Sequence, residues 1–303
     1  MGTLIGHVAP GSGFLLIGLW HLFNHIKLHA SNPSSYHSWP WFPSTLVRYL
    51  ELYLIMAGSW LSISMELFIG PERHQPLDPD WSIPSYHLHN FEHASISFFL
   101  FLYSFVAYCF DRFAIKVHKG LVELLAALAF AQQLLLFHLH SADHMGVEGQ
   151  YHWLLQLVIF VTLVTTLLSI PYPKSFLVGF VRSFSLVFQG VWFIVMGFML
   201  WTPRLIPKGC GMRLEEGHMV VRCRGHEELI RAKSLVNLQF SWFLAGVTVF
   251  AVVFYVGLLK KYGEKIEYVG LEQEEEEEVP KKLEQNRSFV HMGEGMPKIV
   301  LER

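Results

Sequence analysis

The sequence predicts an all-α membrane protein: a bundle of seven transmembrane helices, N-terminus outside or lumenal, C-terminus cytosolic. Three observations carry this prediction. Of 303 residues, 52% are hydrophobic and only 16% charged, with a mean hydropathy of +0.35, whereas soluble domains carry roughly 25% charged residues. The apolar residues fall in seven long blocks rather than in amphipathic stripes, and blocks of about 20 residues are what a hydrocarbon core of roughly 30 Å requires. Basic residues also collect on one side of the resulting pattern. The formal charge of −2 and the lack of a basic stripe give no footprint for a nucleic-acid partner.

The blocks cover 11–28, 46–69, 88–110, 120–140, 153–170, 180–201 and 236–259. Each is expected to be a helix, because lipid offers backbone groups no other partners. The N-terminus lacks a basic leader and its apolar run continues into LWHLFNHIKL, which makes it a first span rather than a cleavable signal peptide. In that span His21, His25 and His29 recur every fourth residue. The second span carries Glu51 and Glu66. Their separation is close to four turns, so both carboxylates share a helix face about 22 Å apart. Glu51 has Arg48 at i−3 as its nearest basic partner, and the inner histidines are expected to bond between helices.

The third span opens with HLHNFEH, which holds His87, His89, Glu92 and His93. The fourth ends in FHLHSADH, with His138, His140, Asp143 and His144, and His152 opens the fifth. The sixth, RSFSLVFQGVWFIVMGFMLWTP, has Gln189 and Gly190 at mid-span, a pair suited to close helix packing. The seventh ends in Lys260 and Lys261.

Orientation follows from the short loops. Arg112, Lys116 and Lys119 join spans three and four, and Lys174 and Arg182 join five and six. The opposite face has Arg73 alone between spans two and three, which places the basic loops in the cytosol. The basic outer loop, 202–235, runs against this rule. Its Cys210 and Cys223 are expected to form a disulfide if the loop is lumenal; a Cys/His zinc site with His218 and His226 is the weaker alternative. The transmembrane domain thus spans 1–262. The acidic stretch 263–303, EYVGLEQEEEEEVPKKLEQ within it, reads as a disordered cytosolic tail, with binding of a protein partner as one candidate role.

Histidines and acids from separate spans therefore gather at the outer face. His89 and His93 share a helix face at i, i+4. Neutral imidazoles with a carboxylate are typical zinc ligands. The expected ligand set is His93, His138, His140 and His152, with Glu66 or Glu148 as ligand or general base. If such a site is catalytic, metal-assisted hydrolysis of a lipid-like substrate suits its depth at the bilayer surface. One alternative is a b-type haem held by His93 with His138 or His140, with a second at His21 and His25. Another is a non-enzymatic scaffold or trafficking protein whose histidines hold helices together.

Several motifs together resemble the transmembrane protein 45 family, in its plant-type form, over residues 6–255. They are GHVAPGSGFLLIGLW in span one, His93 in HNFEHASISFF, and FHLH at 137–140. Glu148-x-x-x-His152-Trp-Leu-Leu and RSFSLVFQGVWFIVMGF at 182–198 complete the set. Trp20-His21 stands where the family carries a paired aromatic, and the loop after span six is longer. The resemblance implies a seven-span integral membrane protein of the endomembrane system or the plasma membrane, with no settled biochemical activity. Links of plant-type members to defence or stress responses are phenotypic. Its motifs select His93, His138, His140, Glu148 and His152 among the candidates.

Overall fold

The computed structural model describes residues 3–70, 74–118, 120–139, 146–215 and 218–263. Among these are seven helices long and apolar enough to cross a membrane. They are α1 (Leu4–Ser31), α2 (Leu50–Ser64), α3 (Leu88–Arg112), α4 (Gly120–Leu139), α5 (Gly146–Leu168), α6 (Phe176–Trp201) and α7 (His226–Tyr262). A π-helical turn, Met65–Ile69, continues α2. The chain is a multi-pass integral membrane protein, and its bundle is the predicted one. A two-stranded antiparallel hairpin, β1 (Cys210–Glu215) and β2 (His218–Cys223), is added between α6 and α7.

α6 is the axis of the bundle. In its most apolar stretch 72% of residues are buried, against 11% for α7, which lies at the periphery. Lipid tails are as apolar as leucine, so helices in a bilayer associate through close backbone packing rather than through exclusion of water. The glycines of α1 and α6 provide that approach. A Cβ added at Gly190 would overlap the backbone nitrogen of Leu15 and stand 2.6 Å from the Gly11 carbonyl oxygen. One added at Gly18 would stand 2.5 Å from the Val187 nitrogen. Around this seam Trp192, Met196, Leu155 and Ile159 form one core. Leu22, Ile26, Val187 and Phe188 form a second with Val247 and Ala251 of α7.

Several helix ends differ from the expected spans. α1 starts ahead of its apolar run because Thr3 caps it, its hydroxyl accepting from the Gly6 amide at 3.0 Å. α7 starts at His226, well before the apolar block, and its 37 residues extend about 55 Å, far beyond a hydrocarbon core. Its first turn carries Glu227 and Glu228 and its last Lys260 and Lys261, which suits the helix dipole at both ends. The outer loop is correspondingly shorter than 202–235.

The expected disulfide, Cys210–Cys223, joins paired residues at the open end of the hairpin. It lies toward the face that carries the start of α1, opposite the basic loops. An oxidised cysteine pair belongs to a lumenal or extracellular compartment, in agreement with the charge bias. The segment between α1 and α2 does not stay outside the bundle. Tyr36, Ser38 and Phe42 are buried, and the Ser38 amide donates to the Pro173 carbonyl at 2.6 Å. The tail from 264 onward lies outside the described residues, as do Arg73, Lys119 and the segment 140–145 with His140, Asp143 and His144.

Candidate functional site

Buried polar side chains form two groups, one toward each face. The outer group centres on Glu66. The π turn at the end of α2 turns this carboxylate inward, where it is buried. The Asn90 amide donates to Oε2 at 2.8 Å, and His93 Nδ1 lies 3.4 Å from Oε1. Nearby, His7 of α1 is buried, its Nδ1 3.0 Å from the Thr3 carbonyl oxygen. Its ring stacks on Trp201 at 4.5 Å and faces His152 at 6.1 Å. His138 stands apart: its Nδ1 is 3.2 Å from Gln156 Oε1. The Gln156 amide donates to the Phe137 carbonyl at 3.0 Å. That bond fixes the amide's orientation, so Nδ1 of His138 carries the proton.

The expected outer ligands are thus only partly assembled. Glu66 and His93 meet. His138 is taken by Gln156, and His152 lies against His7 and Phe137. Glu148 is half-buried in the first turn of α5, and His140 is outside the described residues. Among the described residues, no three histidines, cysteines or acids stand close enough together to hold a metal ion.

The inner group is larger. His21 Nε2 donates to Glu51 Oε1 at 2.7 Å, and the Phe42 amide donates to Glu51 Oε2 at 2.8 Å. Arg182, 4% exposed, is its electrostatic centre. Its guanidinium donates to His25 Nε2 at 3.2 Å, to the Trp39 carbonyl at 2.6 Å and to Ser38 Oγ at 3.3 Å. It also reaches Ser169 Oγ at 3.4 Å. Because His25 accepts at Nε2, its proton sits on Nδ1 and is donated to the Tyr36 hydroxyl at 2.7 Å. Burial raises the Tyr36 hydroxyl well above the ordinary phenol value, so it stays neutral. Glu123 of α4 is buried close enough, with Glu51, to act on the guanidinium electrostatically. Both ring nitrogens of His25 are engaged, and His21 gives Nε2 to Glu51.

Two expectations are corrected here. Arg48 does not pair with Glu51. It reaches across to Asp111 of α3 with Nε–Oδ2 at 3.0 Å, where both groups stay in contact with water. Glu51 turns into the bundle, because a buried carboxylate finds imidazole and amide donors there. Arg182 is not a loop cation either. α6 begins at Phe176, so Arg182 lies two turns inside it and contributes nothing to the cytosolic charge count. Its signal was present in FLVGFVRSFSLVF, a lone arginine with apolar residues on both sides. Glu123, Tyr36, Asn90 and His7 were also missed. Only Glu123, in the first turn of an otherwise apolar block, stands out by composition.

Between the groups, wholly buried amides link α6 to α4, with Gln189 Nε2 donating to Gln133 Oε1 at 3.3 Å. Thr162 donates to Ser185 Oγ at 2.9 Å, which ties α5 to α6.

Residues 119–256 match a family described as "Family of unknown function (DUF716)". The chain is also 25% identical over 219 residues to transmembrane epididymal protein 1A of Mus musculus, covering 67% of this chain and 68% of that protein.

Proposed function

We propose that this protein is a non-enzymatic membrane scaffold in which buried histidines and acids join helices to one another. We further infer that it belongs to the matched family of unknown function, the one that includes proteins like transmembrane protein 45. The observation that carries the scaffold reading is the destination of four ionisable groups that face into the bundle. His21 goes to Glu51, His93 to Glu66, and His25 with Arg182 to the segment between α1 and α2. Each contact crosses from one helix to another element. Such contacts hold helices in register where apolar faces alone do not discriminate between registers. The outer hairpin is then a part presented to partners, and the acidic sequence 263–303 is a candidate partner-binding segment.

A double-mutant cycle at His21 and Glu51 tests this. Either His21→Gln or Glu51→Gln leaves a buried partner uncompensated and costs roughly 2–5 kcal/mol of apparent stability. The double variant costs less than the sum of the two. Additive losses would refute the pairing as the role of these groups.

A second reading rests on one observation, the meeting of Glu66 with His93 at the outer face. These are two of the ligands that a zinc site there would use, in a metal-dependent hydrolase or a binding protein. Under this reading the protein retains stoichiometric zinc.

A further inference from the structure

A cavity of about 330 Å³ lies at the outer end of α4, α5 and α7, lined by His138, Gly149, Gln150, Trp153, Gln156 and Lys233. It is separate from the Glu66–His93 contact and does not depend on the scaffold reading. Its described lining holds one ammonium, one imidazole and two amides, and no carboxylate. Lys233 is half-buried and has no ion-pair partner among the described residues. A cation kept partly out of water without an acid beside it favours an anionic ligand. His138 has Nδ1–H tied to Gln156, so Nε2 of the neutral ring is an acceptor and the positive charge of the described lining comes from Lys233. Gln150 is held in place by its bond to Asn237 Oδ1 at 2.8 Å.

The position of the cavity selects among anions. It lies in the first part of α7, before the apolar stretch, and in the first turns of α5, which is headgroup depth. Trp153, on its rim, is half exposed, as expected for a tryptophan in the interfacial belt. Leu157 and Phe160 follow Trp153 at i+4 and i+7, and both are exposed. A strip of apolar surface therefore descends from the mouth of the cavity along one face of α5. Exposed Leu135 and Leu139 lie on the neighbouring α4. A phosphate above and an apolar track below match a phospholipid.

We propose that this cavity binds the phosphate of an anionic phospholipid in the outer or lumenal leaflet, with Lys233 as the principal charge and α5 as the acyl-chain track. The test is a titration of the detergent-purified full chain, followed by native mass spectrometry. The probes are dioctanoyl phosphatidic acid, dioctanoyl phosphatidylcholine and inorganic phosphate. One phosphatidic acid per chain is expected, bound several-fold tighter than phosphatidylcholine. Lys233→Gln should weaken it about ten-fold, the effect of losing one charge-assisted hydrogen bond, and Lys233→Arg should retain it. Unchanged melting of Lys233→Gln separates a lost ligand from a lost fold. Equal binding by Lys233→Gln, or no preference for the anionic lipid, overturns the proposal. Competition by inorganic phosphate at the lipid's own concentration also overturns it, because the ligand would then be a soluble anion.

Discussion

Replacing Arg182 with methionine is expected to cost roughly 3–5 kcal/mol, the range for breaking a buried ionic network by removing one member. The guanidinium has four hydrogen-bond partners, on α1, the segment between α1 and α2, and the turn after α5. Methionine fills much of the volume but donates nothing. The Trp39 carbonyl, Ser38 and His25 lose a partner, and Glu51 and Glu123 lose the positive charge that balances them. Arg182→Lys keeps the charge on a single ammonium that cannot reach the same spread of acceptors, so an intermediate loss is expected. Adding Glu123→Gln to Arg182→Met should recover part of the stability, because it removes one uncompensated carboxylate. Thermal unfolding in detergent, followed by the fraction that stays monodisperse, measures all three. A methionine variant as stable as the parent would show that the inner network holds nothing together.

Gly190→Ala is expected to be as damaging for a different reason. Overpacking usually costs about 1–3 kcal/mol where side chains can yield. Here the new methyl meets backbone, the Leu15 nitrogen and the Gly11 carbonyl, and backbone in a helix cannot rotate aside. α1 and α6 would have to separate along their shared seam, taking His25 away from Arg182. The same substitution at Gly246 provides the contrast. A Cβ there meets nothing within 4 Å, and alanine favours a helix over glycine by roughly 1 kcal/mol. Gly246→Ala is therefore expected to be neutral or slightly stabilising, and Gly190→Ala to lose most of the folded protein. Equal melting of the two variants would contradict the tight α1–α6 contact.

The spans were legible because apolar length is a property of composition and needs no knowledge of packing. The partners of the polar residues were not legible, for a physical reason. A helix apolar on every side carries no stripe to show which face turns inward. Glu51 illustrates this: its sequence neighbour Arg48 offered an obvious pair, yet the carboxylate looks inward to His21 and the arginine outward to Asp111. A block that begins at 180 leaves Arg182 near its edge, where it counts as a loop cation; the helix begins at Phe176, and that one turn moves the charge from water into the core. Position alone put Glu66 and His93 at the same face. The π turn that aims Glu66 left no mark in the sequence. The hairpin was hidden as well, although the cysteines that close it were paired correctly.

The central claim is that histidines join helices here rather than hold a metal or a haem. Its most direct test is metal content by mass spectrometry, with a visible spectrum, on the detergent-purified chain beside His93→Ala. The account predicts no stoichiometric metal and no haem band in either protein, together with a lower melting temperature for the variant. About one zinc per chain in the parent, lost in His93→Ala, would contradict it, as would a sharp haem absorption that disappears with His93.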